Sequence, residues 1–447
     1  MQKRTDWYIT GRTWLAIDGF IAWFSVIIAY LFNEDLSVSW TSNIPGQPSA
    51  YAAALGFAIC ISICTNVVGL HDPLRQQRFW PTLGRILLGV GSGIGCYLLF
   101  LYLSYLFVLG RVVLVQLFAL SIFLMLGLRV IIWRVSKVNR RRVFLMIPEF
   151  DRLELANMID KSGLPFEIVG LYDKNAYEAK SDEELIQVCR SLKIDEIVID
   201  HRIFQKNQTP WIACLANGVQ VSSINSFLER YFYKVSCNRV GISWLLELDL
   251  RLTHPIYHRW KRLFDIAIAL VGLTLTFPLM VTIAILILVE SGRPIFYRQK
   301  RVGLREQPFT IWKFRTMVVH SEEENSRWAS KNDNRVTLIG KLLRRTRFDE
   351  IPQFWNILMG EMSMIGPRPE WTDIAEIWGK KVPLYPYRHL VKPGLTGWAQ
   401  INYPYAATEE DVIEKLSYDF YYMKHASALL DLQIILRTIA AIMKGAR

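Results

Sequence analysis

Four apolar stretches near the amino terminus constrain this chain more than any other feature. Residues 14–32, 51–70, 86–109 and 112–133 each approach or exceed the roughly 20 residues a helix needs to cross a bilayer. Segments so uniformly apolar belong in lipid. A hydrophobic fraction of 52% over 447 residues, above that of ordinary soluble chains, agrees. The first stretch lacks a clear small-residue cleavage site and three more follow it, which argues against a cleaved signal peptide. The sequence therefore predicts a four-helix transmembrane bundle over residues 1–142. In the third stretch, the run from Gly89 through Gly91 and Gly93 to Gly95 reads as a helix-packing face, since small residues four apart let membrane helices approach closely.

The formal net charge of +12 fits either nucleic acid or an anionic membrane surface, and the apolar stretches select the membrane, with no nucleic-acid partner. Lys3, Arg4 and Arg12 precede the first stretch, Arg75, Arg78 and Arg85 lie between the second and third, and Arg134, Lys137 and Arg140 to Arg142 follow the fourth. The positive-inside rule puts all three groups on the cytoplasmic side. Six scattered cysteines without a C-x-x-C pair argue for reduced thiols and against a metal or disulfide framework.

Residues 143–245 alternate strand and helix: strands at 143–147, 166–171 and 196–200, helices at 153–161 and 181–192. This predicts a small Rossmann-like α/β domain. Its first strand is followed by Pro148-Glu149-Phe150 where a dinucleotide site would need glycines, so no nicotinamide cofactor is expected. After a linker and interfacial helix at 246–262 comes an apolar segment, 263–289, with basic residues on both flanks: Arg259, Lys261 and Arg262 before it, Arg293, Arg298, Lys300 and Arg301 after it. Both flanks prefer the same side of the membrane. With Pro278 near its middle, the segment predicts a re-entrant hairpin that breaks at Thr276-Phe277-Pro278.

Beyond Ser291 several short motifs lie close together: Lys313-Phe314-Arg315-Thr316-Met317, the stretch from Arg344 to Gln353 containing Asp349-Glu350, and Gly366-Pro367-Arg368-Pro369. Pro352 is suited to the first position of a helix running to Met359, whose free N–H groups would face the acidic pair just ahead of it. Arg344, Arg345 and Arg347 would keep carboxylates ionised and bind diphosphate oxygens. An ionised Asp in such a pocket can attack phosphorus, while its neighbour handles a proton or a metal.

With Lys261-Arg262-Leu263-Phe264-Asp265, the motif from Pro294 to Gln299, the run from Gly360 to Pro369 and the run from Pro393 to Gln400, these motifs resemble the bacterial sugar transferase family, the monotopic phosphoglycosyl transferases, from about Lys261 to Ala441. The amino-terminal spans and α/β domain resemble its long-form, polyprenyl-phosphate hexose-1-phosphate branch. The resemblance implies an α+β catalytic domain over 290–447, on the cytoplasmic face of the bacterial inner membrane among its lipids. It implies transfer of glucose- or galactose-1-phosphate from a UDP-sugar to undecaprenyl phosphate with release of UMP, as the first membrane step of exopolysaccharide, capsule or O-antigen synthesis. Asp349 would be the nucleophile and sit near the Mg2+, and Glu350 would assist. Lys313, Arg315, Arg344, Arg368 and Gln353 would hold phosphates or substrate, and Pro278 would break the membrane helix. The segment Ile401-Asn402-Tyr403-Pro404-Tyr405 departs from many hexose-specific relatives.

A homodimer is expected, because the spans and middle domain carry no evident catalytic motif. A membrane-anchored, lipid-binding regulator of polysaccharide assembly is the competing reading, and it predicts that Asp349 is dispensable. A transporter would require polar residues along the spans, which are nearly absent apart from Asp18.

Overall fold

A computed structural model describes residues 11–32, 50–71, 79–103, 111–135, 140–162, 164, 166–171, 182–200, 209–237, 255–318, 335–403 and 408–443. Lys3, Arg4, Arg75, Arg78, Lys137, Pro404 and Tyr405 lie outside these residues. The chain divides into two compact units, Met1–Phe227 and Leu228–Arg447.

In the first unit, α1 (Gly11–Phe32) packs on α2 (Ala50–Val67) and α4 (Arg111–Val135), and α3 (Phe79–Leu103) packs on the same two helices. Ala22, Val26, Phe57, Ile61, Ile86, Val90, Leu117 and Met125 fill the space between them. Phe20, Leu55, Tyr102 and Phe123 point outward, a distribution suited to lipid and poorly suited to water. The spans Thr82–Tyr102 and Val113–Ile132 are long and apolar enough to cross a membrane, whereas the described apolar parts of α1 and α2, Thr13–Ala29 and Ala52–Val67, are shorter. Gly89 and Gly93 form the expected packing face. A Cβ on either would come within 3.0 Å of the α2 backbone, at Thr65 and Ile61 respectively.

The bundle is also more polar inside than its sequence suggests. The Arg129 guanidinium donates to both Asp18 oxygens, at 2.9 and 2.6 Å, and His71 Nε2 lies 2.9 Å from Asp18 Oδ2. All three residues are buried, and the guanidinium stacks 4.4 Å from the Trp14 ring centroid. Removing one member of a buried ion pair leaves the other charge uncompensated. Arg129→Met should therefore cost about 3 kcal/mol or more, and Asp18→Asn added to it should recover much of that loss. Thermal unfolding of the detergent-solubilised chain measures both.

The middle region forms a fully parallel four-stranded sheet of β1 (Arg141–Met146), β2 (Phe166–Leu171), β3 (Glu196–Ile199) and β4 (Gln220–Ser223), in the order β2-β1-β3-β4. The connecting helices are α5 (Glu149–Ser162), α6 (Asp182–Ser191) and α7 (Thr209–Ala216). The centre of the sheet is buried on both faces, so β3 reads as an unbroken apolar run, Ile197-Val198-Ile199, after Glu196. Glu196 is also buried and accepts from Ser222 Oγ at 2.7 Å. Helix α8 (Ile224–Phe232) follows. Although the sequence suggests a middle domain reaching 245, residues 228–237 pack in the second unit: Val235 N–H donates to Ser417 O at 3.0 Å and Lys234 pairs with Glu414 at 2.7 Å.

The longest helix of the second unit is α9 (Pro255–Ser291), of 37 residues. The expected interruption at Thr276-Phe277-Pro278 is absent from its hydrogen-bonded course, and Pro278 lies inside the helix, as does the end of the expected linker. Hydroxyls on either side of the proline take up backbone carbonyls: Thr276 Oγ1 donates to Gly272 O at 2.6 Å and Thr282 Oγ1 to Pro278 O at 3.0 Å. Such back-bonding, together with the missing proline N–H, bends a helix without ending it. Tyr257–Ser291 is apolar enough to cross a membrane, and Leu275, Phe277, Ile285 and Val289 are exposed along it.

The Lys261-Arg262-Leu263-Phe264-Asp265 motif anchors the start of α9. Lys261 Nζ donates to Asp431 Oδ2 at 2.9 Å and Tyr422 OH at 3.0 Å, and Asp265 Oδ1 accepts from Ser363 Oγ and Met364 N–H at 3.1 and 2.9 Å. Arg262 donates to Ile357 O and Leu358 O at 2.6 and 2.8 Å, capping the helix α11 (Gln353–Met359), whose last carbonyls lack partners within the helix. Beyond α9, β5 (Phe296–Val302) and β6 (Pro308–Phe314) form an antiparallel hairpin, followed by α10 (Leu338–Thr346). The chain then continues through α11, β7 (Ser363–Ile365), α12 (Thr372–Lys381), β8 (Gly394–Thr396), α13 (Trp398–Asn402), α14 (Glu409–His425) and α15 (Ala428–Met443). Trp398, Leu416, Phe420, Tyr422 and Ile434 are central to its main core.

Candidate active site

Asp349 and Glu350 occupy a 3-10 turn, Phe348–Glu350, between α10 and α11. Thr337 caps the start of α10 by accepting from Gly340 N–H at 2.9 Å. Gly340 is required there, because a Cβ would fall 2.1 Å from Thr316 O at the end of the hairpin. Arg344 Nε donates to Thr316 Oγ1 at 2.9 Å, holding the helix on the same segment. Arg347 closes α10 in the left-handed region, at φ 61°, and turns the chain so that both acids are buried.

The paired acids are not held by the start of a helix, as the sequence suggests. Helix α11 begins at Gln353, with Pro352 just outside it, and three nearby N–H groups bond locally: Ile351 N donates to Phe348 O, Phe354 N to Ile351 O and Trp355 N to Pro352 O. Side-chain cations hold Glu350 instead. Its Oε1 lies 2.9 Å from Lys313 Nζ, 3.5 Å from Arg368 Nη2 and 3.6 Å from Arg347 Nη1. Burial alone would raise its pKa, but Lys313, Arg368 and Arg347 overcome that and hold it well below the usual carboxylate range. Glu350 is therefore a fixed anion, poorly suited to accepting a proton. Asp349 shifts the other way. Burial and then the Glu350 charge raise its pKa, with Lys313, Arg347 and Arg344 opposing. Its Oδ1 is buried without a hydrogen-bond partner among the described residues, and so is Gln353 Nε2.

Asn356, fully buried, positions α11 against the hairpin. Its amide donates to Thr310 O at 2.8 Å and Glu361 Oε2 at 2.6 Å, and its oxygen accepts from Trp312 N–H at 3.2 Å. Arg368 is presented by the loop from Gly366 to Pro369, where β7 and β8 pair in parallel. Cβ atoms on Gly366, Gly394 and Gly397 would fall 2.3, 2.0 and 2.2 Å from backbone atoms, so the glycine motifs of the sequence secure this loop. Behind it Arg388 donates to Arg368 O at 3.2 Å and pairs with buried Asp419 at 2.7 Å. Glu370, held at a pKa of about 2 chiefly because Lys415, Arg388 and Arg368 outweigh its burial, lies 3.0 Å from Lys415.

Lys313, Arg344 and Arg368 thus gather around the acids, and Gln353 opens α11 just after the turn that carries them. Arg315 does not join them. Its Nη1 donates to Arg293 O at 2.9 Å and its Nη2 to Ser291 O, Gly292 O and Ser291 Oγ at 2.7–2.8 Å, so it caps the end of α9. Arg345 is exposed. Asn356, Arg388, Glu370, Lys415 and Asp419 escaped the sequence reading because their partners are remote in the chain. Among the described residues no group of three or more His, Cys, Asp or Glu could hold a metal.

Residues 256–445 match the family described as Bacterial sugar transferase. The chain is 44% identical over 209 residues to the UDP-N-acetylgalactosamine-undecaprenyl-phosphate N-acetylgalactosaminephosphotransferase of Aeromonas hydrophila, covering 46% of this chain and 49% of that protein. It is 41% identical over 277 residues to the UDP-glucose:undecaprenyl-phosphate glucose-1-phosphate transferase of Klebsiella pneumoniae, covering 60% of this chain and 59% of that protein. An uncharacterized sugar transferase of Bacillus subtilis, EpsL, is 38% identical over 183 residues, covering 41% of this chain and 87% of that protein. The chain belongs to the bacterial sugar transferase family. It spans about half the length of the Aeromonas relative and somewhat more of the Klebsiella one.

The opposed electrostatics of the pair can be tested directly. Glu350→Gln removes a charge that raises the Asp349 pKa and should lower it, whereas Lys313→Met removes a charge that lowers it and should raise it. Carbodiimide labels protonated carboxyls, so the pH at which labelling of Asp349 falls away should move down in the first variant and up in the second.

Proposed function

We propose that this chain is a membrane phosphoglycosyl transferase that moves a sugar-1-phosphate from a UDP-sugar to undecaprenyl phosphate and releases UMP. The observation that carries the reading is the buried, unpartnered Oδ1 of Asp349 beside a carboxylate clamped by Lys313, Arg347 and Arg368. The names of the Aeromonas and Klebsiella relatives support the same substrates, and they differ in the sugar.

In this reading a carboxylate oxygen of Asp349 attacks the sugar-bound phosphorus of the UDP-sugar. The bond from that phosphorus to the bridging oxygen breaks, and UMP leaves with the electron pair. A phosphate oxygen of undecaprenyl phosphate then attacks the same phosphorus and frees Asp349. Lys313, Arg344 and Arg368 neutralise the diphosphate oxygens, which is most of what phosphoryl transfer asks of a protein. Glu350 fixes Lys313 and Arg368 in place and takes no proton. Arg315 serves by holding the end of α9 against the hairpin.

Asp349 suits Mg2+, because its Oδ1 is a hard oxygen donor with no other partner among the described residues; Mg2+ commonly takes one or two carboxylates and completes its shell with phosphates and water. When bound, Mg2+ would supply charge neutralisation at the diphosphate.

The site belongs at the cytoplasmic surface of the inner membrane, where a soluble nucleotide-sugar and a lipid phosphate meet. Leu338, Leu342, Phe348, Trp355 and Met359 are exposed on the elements flanking Asp349 and suit contact with lipid. Both halves of α9 pack on the catalytic unit, Gly272 against Phe354 before Pro278, and Ile283 and Ile287 with Phe314 and Leu343 after it, which supports re-entry over crossing.

Purified protein given Mg2+, undecaprenyl phosphate and, in turn, UDP-glucose, UDP-galactose and UDP-N-acetylgalactosamine should release UMP with at least one donor. Asp349→Asn should slow release by about a thousandfold or more. Undiminished release by this variant would remove Asp349 from the reaction, and no release by the wild type with any donor would favour the regulator.

A further inference from the structure

A basic cavity lies in the carboxy-terminal unit, and neither Asp349 nor Glu350 lines it. Its volume is about 300 Å³, at the small end of the range for ligand sites, roughly 300–1,000 Å³. His258, Lys261, Arg262 and Asp265 line it from one face of α9, at the spacing that brings helical side chains together. Arg305 lines it from the turn after β5, and Lys392 from the loop before β8.

The charges in this cavity are unequally paired. Lys261 is neutralised by Asp431, 2.9 Å away. Arg262 donates to the uncharged carbonyls of Ile357 and Leu358 and makes no ion pair among the described residues. The side chains of Arg305 and Lys392 make no hydrogen bond or ion pair among the described residues. A Cβ on Gly360 would sit 3.2 Å from Arg262 Nη2 and 3.5 Å from Lys392 Nζ, so the two cations converge on a point that carries no side chain. Asp265 is the cavity's one carboxylate, and its Oδ1 is occupied by Ser363 and Met364. Half-buried Lys392 has its pKa pushed down by burial and then by Arg262, against the pull of Asp265, as expected of an ammonium short of a counter-ion.

The position of the cavity indicates which anions can reach it. Trp260 and Leu263 are exposed on the same turns of α9 as Lys261 and Arg262, at the point where the apolar stretch begins. An exposed Trp beside cationic side chains is the arrangement expected at headgroup depth in a membrane.

We propose that this cavity binds a phosphate-bearing anion, the headgroup phosphate of a membrane lipid, between Arg262, Arg305 and Lys392. The site is independent of the reaction at Asp349 and requires only that α9 enter the membrane. It gives the Lys261-Arg262-Leu263-Phe264-Asp265 motif a second role beyond anchoring: the same turn that ties α9 to the catalytic unit also holds a lipid beside it.

Binding distinguishes this from a purely structural cluster. The full chain in a non-ionic detergent would be titrated with dioctanoylphosphatidic acid, with dioctanoylphosphatidylcholine as the control for acyl chains and with inorganic phosphate as the free anion, and bound probe followed by native mass spectrometry. Charge-assisted hydrogen bonds are each worth enough that Lys392→Gln should weaken phosphatidic acid binding by about tenfold. Lys392→Arg should restore it, with the three probe-free proteins melting at the same temperature. Should Lys392→Gln fail to fold, exposed Arg305→Gln carries the same test, with an expected loss of severalfold. Inorganic phosphate binding as tightly as phosphatidic acid would overturn the lipid assignment. Equal phosphatidic acid binding by wild type and the Gln variant, or binding no tighter than that of phosphatidylcholine, would overturn the site.

Discussion

The carboxylate of Glu350, buried and held by Lys313, Arg347 and Arg368, is the contact on which the catalytic unit turns. Each cation arrives from a different piece of chain: Lys313 from the hairpin, Arg347 from the turn closing α10, and Arg368 from the loop after β7. An ionised carboxylate tolerates burial only when compensated, so these pieces must assemble together or leave a charge stranded. A further layer braces them, with Asn356 tying α11 to the hairpin and Arg388, Asp419, Glu370 and Lys415 supporting the Arg368 loop. Burial and the Glu350 charge raise the pKa of Asp349, whose Oδ1 has no hydrogen-bond partner among the described residues, so one acid organises while its neighbour stays available.

Much of this site was legible in the sequence, because Lys313, Asp349, Glu350 and Arg368 fall in short motifs whose residue types suit phosphate chemistry. Their reasons for meeting were less legible. Pro352 suggests a helix start ahead of which the acids would sit, but they lie in a 3-10 turn and the cations do the holding. The destination of Arg315 depended on where the end of α9 would lie, a non-local fact that composition cannot carry. The same limit hid Arg129: an arginine in an apolar stretch reads as an exception until the fold brings Asp18 to it.

The amino-terminal unit follows simpler rules. Apolar length sets its helices, and Gly89 and Gly93 let two of them close to backbone contact. In the middle sheet the three expected strands lie within a few residues of β1, β2 and β3, the last a buried parallel strand that leaves a short apolar run, whereas β4, Gln220-Val221-Ser222-Ser223, carries no such run and was not expected. Pro278 is the reverse case. A proline removes one hydrogen bond, but whether the helix breaks or bends depends on what else accepts and donates nearby, and Thr276 and Thr282 take up carbonyls on either side.

The central claim is that Asp349 itself carries the sugar phosphate between donor and acceptor. Incubating the protein with an accepted UDP-sugar in the absence of lipid acceptor, and weighing its proteolytic fragments, tests this most directly. The account predicts UMP released in an amount comparable to the enzyme and a sugar-phosphate mass on the peptide containing Asp349. UMP release that strictly requires the lipid acceptor, or an adduct on another residue, would contradict it.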